Sequence, residues 1–443
     1  MKKLAGLLTM FGFVLLAGCN NSSGGPGGAN SNSPSAPTVG YVISEAYLYE
    51  YGQNPPPESI GENYDVICPN LTSYNNNCVG VIATPVAASG AVNGTPQIVP
   101  MAMNQPVTGN ISGTGSPYLY STQATSSGGC NLVTYQIVAS ASGVSVNPVN
   151  TTAMPETSQT GNVYGCPTLE LSATGNFLLD LYGTNTSCAL RVWVLQNHLP
   201  VSYGNQISIS GGQCYYGATP SDSAIIAFEG TTSSNYVYNY TLSSTGALSL
   251  YSSTQDDACA YLTGIQTIPG DNAHLILVFD GGLGITSVNA NGLPGTPCTS
   301  MTDMYYSSVF GQIDGPLDFT PDGKVAFGFA SGFNGQAPIP IAYTLPILNT
   351  NGQLTTPINL SSYAMGYVGV YVAKYRSINP PVVYNPTGTV LYNNYVPLQL
   401  SSTTDLPTTP VGNLAAIEHG SQSYFFPDPL GLEQVLLTYV PVS

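Results

Sequence analysis

Short runs of alternating apolar and polar residues, broken by Gly, Asn, Asp, Pro or Thr, follow one another from about residue 79 to the C-terminus. Period-2 alternation with such turns predicts strands rather than helices. One pattern recurs: an apolar strand, a tight turn and a second apolar strand. Its clearest copy is Leu317-Asp318-Phe319-Thr320-Pro321-Asp322-Gly323-Lys324-Val325-Ala326-Phe327. Two more run from Leu169 to Leu179 and from Val382 to Leu391, with weaker copies turning at Gly115, Ser221-Asp222, Gly270-Asp271-Asn272 and Pro429 to Gly431. Between them lie second strand pairs with their own turns, as in Tyr236 to Leu248, Ile285 to Leu293, Ile341 to Leu354 and Val79 to Val92.

Four strands per unit, a period near 50 residues and seven units predict an all-β, seven-bladed β-propeller of antiparallel blades. One such blade cannot bury both faces alone, whereas a ring of blades packs face on face and leaves short edges. Tandem sandwiches need about seven strands per roughly 100 residues without this echo. The last strand pair, near Ser423 to Tyr439, lacks an outer pair, and Val79 to Val92 lacks an inner one. Pairing of the two termini is therefore expected to close the ring, with Tyr41 to Tyr51 as an added strand or packing segment.

The N-terminal segment reads as an address. Lys2 and Lys3 precede an apolar stretch from Leu4 to Ala17, too short to span a bilayer as a mature helix. It ends in Leu16-Ala17-Gly18-Cys19, which resembles the lipobox of bacterial lipoproteins. That resemblance implies a signal peptide over 1–18 and a lipid-bearing Cys19 that anchors the protein to a membrane. Asn20 favours the outer membrane of the cell envelope. Residues 19–38, almost wholly Asn, Ser, Gly, Pro and Ala, predict a flexible tether, and 39–443 the propeller domain.

Charge narrows the partners. The 443 residues carry 6 Lys plus Arg against 22 Asp plus Glu, a net charge of −16. Without the leader only Lys324, Lys374, Arg191 and Arg376 remain as cations. So few cannot neutralise a run of phosphates, which excludes nucleic acid and disfavours phosphorylated ligands.

Cys19 apart, eight cysteines remain, an even number in an exported protein and none in C-x-x-C spacing. Placed on the blades, they suggest Cys130–Cys166 and Cys188–Cys214 as bridges between neighbouring blades. Cys259–Cys298 would join loops about one blade, and Cys68–Cys78 would close a small loop.

The Thr320-to-Lys324 turn and the strand–Thr-Gly-Ala-Leu pairs resemble the lactonase-like, YVTN-type seven-bladed propellers of bacteria over roughly 79–443. Some members of that family hydrolyse sugar lactones, 6-phosphogluconolactone among them. Its catalytic positions have no residue-by-residue match here.

Candidate chemistry is sparse. Loops entering the inner strands are expected to bring Asp256, Asp257, Asp303, Asp314, Tyr216, Tyr261, Arg376, Glu418 and His419 to the channel mouth. Glu418 or His419 would serve as base and Arg376 as oxyanion or carboxylate anchor. Ligand contacts would come from Arg376, His419, Asp314, Asp257 and Tyr261. No cofactor is expected, although the aspartates are a conceivable Ca²⁺ set without EF-hand spacing. No nucleophile elbow, phosphate loop, dinucleotide fingerprint or HExxH motif occurs. The function these features favour is an envelope-anchored scaffold for a glycan, peptide or envelope protein. Hydrolysis of small sugar lactones is the alternative.

Overall fold

A computed structural model describes residues 36–48 and 78–442, less 95–96, 101–107, 111–116, 126–127, 158–165, 173, 184–186, 211–212, 220, 231–234, 261, 280–281, 305–311, 321, 332–338, 361–382, 393–396 and 412–432. Within some strands the backbone alone is described. The fold is all-β: among the described residues only Asp257–Cys259 forms a helical turn.

Among the described residues the strands make seven antiparallel sheets. Sheet 2 contains Thr108–Asn110, Tyr118–Ala124, Gly129–Ser140 and Gly143–Thr157. Sheet 3 contains Thr168–Leu171, Phe177–Gly183, Ser187–Gln196 and Leu199–Tyr203, with Ile207–Ser210 paired to its third strand. Sheet 4 spans Gln213–Ala218, Ala224–Gly230, Asn235–Leu242 and Leu248–Gln255; sheet 5 spans Leu262–Ile268, Asp271–Phe279, Gly282–Ser287 and Thr302–Asp303. Sheet 6 holds Gln312–Phe319, Val325–Ser331, Ile339–Thr344 and Ile358–Asn359; sheet 7 holds Val383–Tyr384, Val390–Tyr392, Pro397–Leu400 and Pro407–Pro410.

Sheet 1 joins the two ends of the sequence, in the order Glu433–Pro441, Thr38–Leu48, Cys78–Ala87, Gln97–Pro100. This corrects the expected arrangement. Thr38–Leu48 is an interior strand, paired with Glu433–Pro441 on one side and Cys78–Ala87 on the other. The reason is legible in Tyr41-Val42-Ile43, three consecutive residues no more than 4% exposed. A strand apolar on successive residues must be covered on both faces.

The same double burial links all the sheets. Seven apolar clusters each straddle two consecutive sheets. Ile225 and Ala227 of sheet 4 face sheet 3, whereas Ile226 and Phe228 face sheet 5. Other clusters join sheets 1 and 2, 2 and 3, 5 and 6, and 6 and 7. In the seventh, Val383, Val390 and Tyr392 of sheet 7 pack on Val42 and Val86 of sheet 1.

The repeated turn has a local cause. The residues before the turns, Ser172, Thr219, Thr320 and Asn385, use a side-chain oxygen to accept the N–H that opens the next strand, at 2.9–3.2 Å. A left-handed residue then reverses the backbone: Gly175, Gly270, Gly323 and Gly388, with Asp222 (φ 52°) taking that place in sheet 4. Asp222 is buried and accepts the hydroxyls of Ser172, at 2.6 Å, and Thr174 from sheet 3. The expected turns at Gly115 and at 429–431 lie outside the described residues.

Side-chain amides stitch neighbouring sheets. Gln97 bonds both the N–H (2.8 Å) and C=O (2.9 Å) of Val144. Asn205 does the same to Leu248, at 2.8 and 3.0 Å, and Gln266 to Leu317. Each amide acts as one rung of a strand ladder.

A buried ionic group lies within sheet 3. Arg191 and Asp180 are cross-strand partners, 4% and 1% exposed, with N–O 3.7 Å. Trp193 Nε1–H donates to Asp180 at 2.5 Å, while Arg191 stacks over Tyr203 and donates to Gln206. Removing one partner leaves the other charge buried. Arg191→Met is therefore expected to lower unfolding stability by about 3 kcal/mol. Adding Asp180→Asn should recover part of that loss, as chemical denaturation would measure.

Candidate functional site

In each four-stranded antiparallel sheet, the connection entering the first strand and the connection between the second and third lie at the same end. The Ser/Thr/Asn turns lie at the other. Of the sequence-predicted site residues, Asp256 and Asp257 lie at the first of these ends, in the segment entering sheet 5.

Two bridges brace that end. Cys130–Cys166 ties the start of the third strand of sheet 2 to the segment entering sheet 3, with Cα atoms 5.6 Å apart. Cys259–Cys298 ties the segment entering sheet 5 to the loop before its fourth strand, Cα–Cα 5.2 Å. Both are pairings expected from sequence. Closing loops of 36 and 39 residues, each restricts the unfolded state by about 3–4 kcal/mol. Cys188 is also disulfide-bonded. The side chains of Cys214 and Cys78, and all of Cys68, lie outside the described residues.

Asp256 and Asp257 have separate fates. Asp257 is exposed and accepts the N–H of Asn235 at 3.2 Å and the amide of Gln255. Asp256 is 2% exposed and turns inward. Its carboxylate accepts the N–H groups of Cys298 (2.8 Å) and Thr299 (3.1 Å) and the Thr299 hydroxyl (2.7 Å). Asp256, Cys259 and Cys298 place potential metal-ligand atoms within 4.8 Å of one another. Both sulfurs are consumed by their mutual bond and so offer no thiolate.

Tyr216 is nearly buried in the packing of sheet 4 against sheet 3. Asp314 lies on the first strand of sheet 6, its backbone opposite Phe329, and Asp303 opposite Gly284 in sheet 5; their side chains are outside the description. Tyr261, Arg376, Glu418 and His419 lie outside the described residues. The expected base and anion anchor therefore have no geometry here.

One titratable group on a first strand escaped the sequence reading. Glu170 stands opposite Leu179 in sheet 3, on the side that faces sheet 4. It keeps slight surface exposure, but the surrounding strands withdraw its carboxyl from water and push its pKa up to about 8. The apolar-polar alternation of Leu169-Glu170-Leu171 reads as an ordinary half-exposed strand, so no local signal singled it out. In sheet 4, Tyr238 donates to the buried Glu229 at 2.5 Å. Burial, more than the Glu229 contact, drives the Tyr238 phenol pKa upward.

No protein-family model matches this sequence, and no curated protein is detectably similar to it. Solved structures do resemble the fold. A Lactobacillus plantarum protein aligns over 91% of this chain and 100% of its own, at 12% identity and a TM-score of 0.52. The periplasmic gluconolactonase of Pseudomonas aeruginosa aligns over 89% and 99%, at 11% identity and a TM-score of 0.48. Such identities speak for the fold alone, and the fold is all-β.

Glu170 sets a pH dependence. With a folded pKa of about 8 against an ordinary 4.5, the folded state binds the proton more tightly than the unfolded state. Its stabilising contribution is complete below pH 4.5 and is lost as pH rises through 8. Glu170→Gln should match the parent in melting temperature at pH 4 and exceed it at pH 9, in scans across that range.

Proposed function

We propose that this protein is an exported, membrane-anchored β-propeller whose seven sheets form a closed ring. Its role is to hold a neutral or weakly polar ligand at the end where loops enter the inner strands. The observation that carries this reading is the bracing of that end by disulfides and by Asp256. Rigid loops lose little entropy on binding, so their contacts convert efficiently into affinity. Ring closure rests on the packing of sheet 7 against sheet 1 and on the pairing of Thr38–Leu48 with Glu433–Pro441. Four mature cations make a phosphorylated ligand unfavourable and leave neutral glycans or uncharged peptide segments. Lipid on Cys19 and residence at the outer membrane rest on the leader and tether.

Hydrolysis of neutral sugar lactones is a second reading, favoured by Glu170. A carboxyl with a pKa of about 8 is partly ionised near neutral pH, as a general base working there must be. It would take a proton from water as the oxygen adds to the lactone carbonyl. The ring C–O bond would then break, with the proton returning to the leaving alkoxide. Arg376 would hold the oxyanion, and His419 or Glu418 would be competing bases. Propellers host many chemistries, so the site rather than the fold decides.

Calorimetric titration of neutral oligosaccharides and peptides into the protein, alongside pH-stat assays on neutral and phosphorylated lactones, tests both readings. Saturable binding without acid release supports the scaffold. Acid release from neutral lactones that is lost in Glu170→Gln supports the hydrolase, and loss in Arg376→Ala or His419→Ala instead relocates its base. Neither binding nor release removes both readings. Ring closure predicts that deleting 433–443 abolishes cooperative unfolding. Palmitate labelling that vanishes in Cys19→Ala checks the anchor.

A further inference from the structure

Asp256 organises both halves of a disulfide whose cysteines are 39 residues apart. Its backbone carbonyl accepts the Cys259 N–H at 3.0 Å. Its carboxylate takes the Cys298 and Thr299 N–H groups and the Thr299 hydroxyl. The loop bearing Cys298 is held again upstream. Leu293 is buried between sheets 4 and 5, Asn239 Nδ2–H donates to the Pro294 C=O at 2.9 Å, and Ser300 Oγ–H closes onto the Thr296 C=O at 2.6 Å. None of these contacts needs the sulfur–sulfur bond. We infer that Asp256 is a positioning residue that holds Cys259 and Cys298 in register before they join, so that this loop stays docked when its bridge is reduced and re-forms the same bridge.

The exchange chemistry is complete with a glutathione couple. One cysteine thiolate attacks glutathione disulfide and displaces a glutathione thiolate. The second then attacks the mixed disulfide at the protein sulfur and displaces the other. Two protein thiols lose two electrons and two protons, and one glutathione disulfide becomes two thiols. Only the second attack depends on register, because it needs both sulfurs within bonding reach.

Two measurements on the whole protein test this. In glutathione redox buffers, Asp256→Asn should lower the effective molarity of Cys259–Cys298 by about tenfold or more, because it disrupts a buried carboxylate's bonds to two N–H groups. Cys130–Cys166 in the same molecule should be unchanged. In the bridge-less Cys259→Ser/Cys298→Ser protein, the amides at 298 and 299 should keep their hydrogen-exchange protection, and Thr299→Val in that background should weaken it. Loss of protection at 298 and 299 in the serine pair alone, with Asp256 intact, would overturn the inference. So would unchanged bridge formation in Asp256→Asn. Should Asp256→Asn fail to fold, the exchange measurements, which keep Asp256, decide the matter.

Discussion

The constraint on which the described sheets depend is the burial of their apolar faces against one another. Each sheet is apolar on both faces, and the clusters run from one sheet to the next until Val383, Val390 and Tyr392 meet Val42 and Val86. Were that contact open, two apolar faces would stand in water. At about 25 cal/mol per Å² of apolar area, no local interaction offsets such exposure. The pairing of Thr38–Leu48 with Glu433–Pro441 builds the sheet that makes this contact from segments far apart in the sequence. Such non-local pairing forms late and slowly compared with local hairpins.

With only 6% charged residues, the protein joins its sheets by other means. Side-chain amides of Gln97, Asn205 and Gln266 each satisfy a complete peptide unit of the neighbouring sheet. An amide provides a donor and an acceptor without the desolvation cost of a buried charge. Close approach serves the same end. A Cβ on Gly204 would lie 2.0 Å from the Gly246 carbonyl oxygen, so sheets 3 and 4 meet backbone to backbone. Within sheet 3 the buried Asp180–Arg191 pair carries such a cost, and Trp193 and Gln206 supply the hydrogen bonds that make it tolerable.

The two ends of the sheets differ in kind. At the turn end, Ser, Thr and Asn side chains finish their own hairpins, and Asp222 fastens one sheet to the next. At the loop end, covalent bridges and Asp256 do the fastening. Long connections that would otherwise cost entropy to order are thereby held in place.

Strand alternation, the 50-residue echo and the Ser/Thr/Asn-Gly turns follow from local chemistry. The all-β class, the four-strand unit and the pairs Cys130–Cys166 and Cys259–Cys298 are therefore legible in the amino-acid sequence by itself. The consecutive apolar residues Tyr41-Val42-Ile43 also announce an interior strand, although the repeat pattern sets them at the margin. Only the tertiary structure decided the rest. A carboxylate's role depends on what surrounds it in space. Asp256 and Asp257 are neighbours in sequence, yet one is spent on the backbone of a distant loop and the other faces water. Glu170 has the sequence surroundings of any outward strand residue, and it is a second sheet closing over it that takes away the water that keeps a carboxyl acidic.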